Sequence, residues 1–187
     1  MDHKLGRSHC GSIRQFLWVS KANPIDRVEE LALLDSMVSV VIPALNSVRD
    51  LQPLLAALVP AAVEGVVREV LVADGGSTDE TAALCEDAGA LLLNGGLHDA
   101  AAVAKGAQVL VLTPDMRLPH DWVRNLSEHV KAGGGDGVLQ PHRRGLRLFQ
   151  GLAATPGLLM SRISVLEHGR EGIKGLRRRL RQPVRIA

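Results

Sequence analysis

Residues 70–81 read VLVADGGSTDET, an apolar run that ends in a carboxylate, two glycines and a string of hydroxyl and acidic residues. Glu69–Ala73 has the texture of a strand, and Asp74-Gly75-Gly76 that of a sharp turn, because glycine admits backbone angles closed to other residues. Ser77 and Glu80 stand at capping-box spacing, so a helix is predicted to start at once. The same grammar extends outward. Val38–Ile42 is a β-branched run ended by Pro43, the pattern of a strand buried on both faces. Leu51, Leu54, Leu55 and Leu58 recur at helical spacing behind it. Downstream come a short strand at Ala90–Leu93, a helix over Asp99–Lys105 and a strand at Gln108–Leu112 halted by Thr113-Pro114. A helix then runs through Trp122, Leu126 and Val130. Strands alternating with helices at this spacing specify an α/β fold with a mainly parallel sheet. Ligands in such sheets bind beyond the carboxyl ends of the strands, here Pro43–Asn46, Asp74–Ser77 and Thr113–Arg117. After Gly133-Gly134-Gly135 the alternation stops.

The chain has 187 residues, one domain's worth, and its 46% hydrophobic content is enough to build a core. Aromatic residues make up only 2%, which argues against base-stacking nucleic-acid platforms and ring-lined sugar modules. Cys10 and Cys85 cannot form a disulfide framework, and the histidines show no zinc-like spacing. No run approaches the ~18 apolar residues of a membrane span, and the N-terminus lacks a secretory pattern. A reducing, cytoplasmic setting is therefore expected. The small net charge hides a split. Residues 1–141 hold 11 Lys and Arg against 18 Asp and Glu, whereas residues 142–187 hold 11 against 2. Three regions follow: an N-terminal extension at 1–36, with Met37 as an alternative start; a regular core at 37–140; and a basic, partly helical region at 141–187.

Two glycines after a strand let the backbone approach a ligand, and the helix beyond them favours a negative group. Asp74 can accept hydrogen bonds from a ribose or a base edge. Taken alone, the segment reads equally well as an ordinary strand–helix turn. VVIPALNS at 40–47, VLVADGGSTDET at 70–81 and VLVLTPDMRLPHDW at 109–122, in that order, together resemble family 2 glycosyltransferases, which have the GT-A nucleotide-sugar fold. The resemblance covers roughly residues 38–130. It implies a Rossmann-like three-layer sandwich with an abbreviated C-terminal acceptor region. It also implies metal-dependent, inverting transfer of a sugar from a nucleotide-diphospho sugar to an acceptor hydroxyl. Pro43, Ala44 and Asn46 would border the nucleotide. Asp74, with Gly75, Gly76 and Ser77, would hold its base or ribose, and Asp115 would hold Mg²⁺ or Mn²⁺ against the diphosphate. A hard cation with oxygen ligands suits that leaving group.

The departures from the family pattern are specific. Asn46 is followed by Ser47 rather than Glu, and Thr113-Pro114-Asp115 offers one acid where the metal motif commonly has two. Asn94–Lys105 lacks the Arg and later Asn of the donor loop; His98 and Asp99 either substitute for them or belong to a solvated loop. Leu158–Arg162 resembles the strand before the acceptor region. Glu171 stands where an acidic pair would supply the base, with Gly172 in place of the second acid. Arg177–Arg181, with Ile163, Val165, Leu166, Ile173, Leu176 and Leu180, could form basic amphipathic helices. These would suit a lipid-linked acceptor at the inner face of the membrane, a non-specific grip on phosphate groups, or simply a solvated face. The competing reading is a catalytically degenerate GT-A protein that binds a nucleotide or a partner. A nucleotidyltransferase ranks third, because Val40–Ser47 carries no Gly-rich phosphate loop with Lys or Arg. Specific nucleic-acid binding is not expected.

Overall fold

The structure is a computed structural model that describes residues 37–142, 155–180 and 183–186. The N-terminal extension, with Cys10, lies outside the described residues. Seven strands form one sheet: β1 (Val38–Ala44), β2 (Val67–Asp74), β3 (Leu91–Asn94), β4 (Gln108–Val111), β5 (Gly137–Leu139), β6 (Gly157–Ser161) and β7 (Val184–Ile186). Their order is β3-β2-β1-β4-β6-β5-β7. β3, β2, β1 and β4 are mutually parallel, β6 runs antiparallel to both its neighbours, and β5 pairs parallel with β7.

Strand alternation sends successive side chains of β1 to opposite faces. Val38, Val40 and Ile42 pack with α1 (Val48–Val63), α2 (Thr81–Asp87) and α4 (Trp122–Lys131), through Leu51, Leu54, Leu58, Cys85, Trp122 and Leu126. Val41 faces the other way with Leu71, Val109 and Val111. There it meets α3 (Leu97–Val103), α5 (Arg162–His168) and α6 (Gly172–Arg179), through Ala100, Ala101, Val165 and Leu176. A short 3-10 turn, Gly169–Glu171, joins α5 to α6. The result is the expected three-layer sandwich. Cys85 lies in the first core, where burial pushes its thiol upward.

Three expectations change in detail. β1 runs through Pro43 to Ala44 instead of stopping at Ile42. The β1–β4 ladder ends at Val41–Val111, so the missing N–H of Pro43 forfeits no bond on that side. The predicted capping box does not form: α2 starts only at Thr81, and its N-cap Glu80 makes no side-chain cap. The Ser77 hydroxyl is used elsewhere, as described below. Third, the region after residue 140 is woven into the fold, because β6 lies between β4 and β5 in the same sheet. A boundary at 140 divides motifs, not layers.

Candidate functional site

Parallel pairing brings the carboxyl ends of β2, β1 and β4 to one edge of the sheet. Asp74 ends β2 in register with Ala44, and the Thr113–Asp115 turn follows β4 on the far side of β1. With strands ~4.8 Å apart, the segments carrying Asp74 and Asp115 flank β1 about 10 Å from each other. This is the crevice at which a parallel sheet offers ligands its loops and helix ends.

The first two loops are stitched together. Gly75 N–H donates to Ala44 O at 2.8 Å. The Ser77 hydroxyl donates to the Asp74 carboxylate, and its oxygen accepts from Asn46 N–H at 2.9 Å. Ser77 N–H also donates to Asp74, at 3.0 Å to Oδ2. Asn46 Oδ1 in turn accepts from Thr78 N–H at 2.8 Å. Asn46 sits at φ 48°, a left-handed conformation that asparagine tolerates better than most residues, and Gly76 sits at φ 98°. Asp79 completes the join: one oxygen takes the Thr81 hydroxyl and the other caps Val48 N–H at 3.3 Å, at the start of α1. Asn46 and Ser77, both expected on the nucleotide, take part in this join between the two loops.

Asp74 is 7% exposed. The Ser77 hydroxyl holds its carboxyl below the usual carboxylate range, helped by the Ser77 and Gly76 amides and opposed by burial and the nearby Asp79 charge. The Thr81 hydroxyl does the same for Asp79, with the Thr81 and Val48 amides. Both carboxylates are thereby kept ionised as acceptors.

Asp115 is exposed in the turn after β4. No group of three or more His, Cys, Asp or Glu side chains converges to hold a metal among the described residues. A lone, solvent-facing carboxylate fits Mg²⁺ or Mn²⁺ that takes its remaining oxygens from a diphosphate and water, the usual habit of such ions. It does not fit a cation held by the protein alone.

The second half of the site is a cavity of about 830 Å³ between Pro43, the start of α3, the 3-10 turn and the start of α6. Glu171 lines it, as do His98 and Asp99. The structure thus brings Glu171 beside Pro43, whereas Asp74 and Asp115 lie outside this lining. One wall of the cavity presses directly on the other: a Cβ on Gly169 would stand 2.9 Å from His98 N. His98 Nδ1 lies 2.7 Å from Leu166 O and ties α3 to α5. Asp99 is exposed, and its Oδ2 accepts from Gly96 N–H at 2.8 Å. These two residues are helical, so the solvated-loop alternative is corrected. Arg170 and Lys174 also line the cavity. Sequence reading passed over both because nothing local marks which cations of a basic segment face inward. Val165 and Leu176 of the C-terminal helices are buried in the second core, while Arg177, Arg178 and Arg179 are exposed.

This architecture is a GT-A fold, and the comparisons agree. The profile of glycosyl transferase family 2 matches residues 39–147, and the chain belongs to that family. Among solved structures, the chain resembles glucosyl-3-phosphoglycerate synthase from Mycobacterium tuberculosis. The complex with Mn²⁺, uridine-diphosphate and glucosyl-3-phosphoglycerate matches at TM-score 0.54 and 24% identity, over 73% of this chain and 60% of that one. The complex with uridine-diphosphate matches at TM-score 0.53 and 26% identity, over the same shares. A structure described as a mycobacterial protein matches at TM-score 0.53 and 23% identity, over 73% and 56%. The chain thus spans about 60% of the synthase's length. No match was found among curated proteins.

Proposed function

We propose that the protein transfers a sugar from a nucleoside-diphospho sugar to an acceptor hydroxyl. The observation that supports this best is the convergence of the family's segments at one sheet edge, with Asp74 and Asp115 flanking β1 and the Glu171 cavity opening beside Pro43. The similar synthase was crystallised with uridine-diphosphate and Mn²⁺, which makes these the first ligands to try. Asp74, with the backbone of Pro43, Ala44, Gly75 and Gly76, receives the nucleoside. Asp115 holds the cation, which when bound offsets the charge gathering on the departing diphosphate.

Glu171 takes the proton of the acceptor hydroxyl. The freed oxygen forms its bond to the anomeric carbon while the bond from that carbon to the diphosphate oxygen breaks, and the electron pair leaves with the diphosphate. Attack opposite the leaving group inverts the anomeric centre. Among the described residues Glu171 pairs with Arg179 at 4.0 Å, with both side chains about half exposed. Membrane contact, in this reading, rests on the charge of Arg177–Arg179 and not on apolar insertion, because the apolar side of α6 is spent on the core.

A second reading is favoured by one observation, the single carboxylate at the metal position. It holds that the protein binds nucleotide without turning it over. Calorimetric titration with uridine-diphosphate, with and without Mn²⁺, tests both. Mn²⁺-dependent binding that falls to the metal-free level in Asp115→Ala is the expected result. No binding by any nucleoside diphosphate would sink the donor site altogether. Nucleoside diphosphate released in wild-type assays but not with Glu171→Gln, whose binding stays intact, separates catalysis from mere binding.

A further inference from the structure

The charges around the 830 Å³ cavity are not equally engaged. Arg170, Glu171 and Lys174 come from one wall, His98 and Asp99 from the other. Asp99 is spent on the Gly96 amide at the head of α3. Glu171 points along α6 toward Arg179: a Cβ on Gly175 would stand 2.7 Å from its Oε2, so the carboxylate rests in the niche that this glycine leaves. The cations differ. Arg170 lies against the His98 ring, Nη2 to Nε2 at 3.5 Å, and among the described residues neither Arg170 nor Lys174 makes an ion pair. Among those residues the cavity therefore presents two acids with partners and two cations without an anionic one. Its volume is within the range of small-molecule sites.

We propose that this cavity holds the acceptor, and that the acceptor carries a carboxylate or phosphate, gripped by Arg170 and Lys174, beside the hydroxyl it offers to Glu171. This rests on the transfer reading above and specifies its acceptor. The two cations bracket Glu171 in the chain, one residue before it and three after. An anion seated between them leaves its neighbouring hydroxyl within reach of the same wall. They also offset the repulsion that an anionic acceptor would feel from the Glu171 carboxylate, which an uncharged polyol would not need. The anionic group belongs either to a free small molecule or to a lipid headgroup.

The test is calorimetry on the full chain with glycerol 3-phosphate, glycerate and uncharged glycerol, in the presence of uridine-diphosphate and Mn²⁺. Vesicles of phosphatidylglycerol in phosphatidylcholine supply the lipid arm. Arg170→Gln and Lys174→Gln are exposed substitutions, and Arg124→Gln on α4 is the control. The expected result is saturable binding of an anionic probe, no binding of glycerol, and affinity at least about tenfold weaker in each cavity variant but not in the control. Vesicle binding that is lost in the cavity variants, with no response to the soluble anions, assigns the anion to a headgroup. Glycerol binding as tightly as the anions, anion affinity unchanged in both variants, or no response to any probe would each overturn the proposal. So would a loss of uridine-diphosphate affinity in the cavity variants, because the cations would then serve the donor. Nucleotide binding alone reads the donor site, so failure there is seen separately from failure here.

Discussion

At the scale of single residues, Asp74 carries the most information. Its carboxyl is held below the usual range chiefly by the Ser77 hydroxyl. A lowered value in the folded state means that ionised Asp74 favours folding. That contribution is complete above the unfolded-chain value near pH 4 and is lost as pH falls through the lower folded value. An acid titration followed by circular dichroism should show this increment in the wild type below about pH 4. Asp74→Asn should be less stable at neutral pH and lack that part of the acid limb; equal acid sensitivity in both proteins would contradict the Ser77–Asp74 account. That a carboxylate ends the strand before two glycines was legible in the sequence, although that segment alone reads equally well as an ordinary turn. The clasp around it was not. That Asn46 turns left-handed and hands its Oδ1 to Thr78 depends on two loops 32 positions apart meeting in space. Local spacing instead suggested a capping box for Ser77, and the nearer partner, Asp74, won its hydroxyl.

At the scale of elements, β1 through β4 and their helices were readable because each carries a strong period of its own. The later strands were not. β5 and β7 are three residues each, too short to show alternation. Only β6 was marked beforehand, through its family resemblance. The 3-10 turn is a further case: Gly169 looks like one glycine among many, yet its lack of a side chain sets how closely α5 and α6 approach α3. A Cβ there would meet the backbone of His98 and Leu97 at 2.9–3.3 Å, and backbone cannot swing aside as a flexible side chain can. Gly169→Ala is expected to cost about 1–3 kcal/mol, as overpacking generally does. In urea this should appear as a lower midpoint at unchanged slope. Because the turn carries Arg170 and Glu171, anionic-probe binding should weaken in the same variant while uridine-diphosphate binding holds. A wild-type midpoint would mean that the turn yields freely and the cavity is not built on this contact.

At the scale of the whole molecule, the charge split and the motif split coincide near residue 140, and the fold ignores both. The basic region supplies β6, which pairs with β4 from Gln108–Ser161 to Val111–Leu158 and with β5 on its other side. Leu158 and Leu159 are fully buried and Met160 is 2% exposed, and they face both cores in alternation. At about 1.5–3 kcal/mol for each large apolar side chain buried, these three alone rival the lower end of the 5–15 kcal/mol net stability of a typical domain. Losing β6 would also strip β4 of one of its two partners and isolate β5 from the rest of the sheet. The recognisable, acidic three-quarters of the chain is therefore expected to need the basic region in order to fold. A chain ending at residue 142 should show no cooperative urea transition by far-ultraviolet circular dichroism, where the full chain shows one. A cooperative transition at the full-length midpoint would make the division at 140 a structural one. The dependence also bears on the site. Pro43 and Asp74 sit on strands that pack against α3, which packs in turn against α5, and the same C-terminal region carries Glu171 to the cavity.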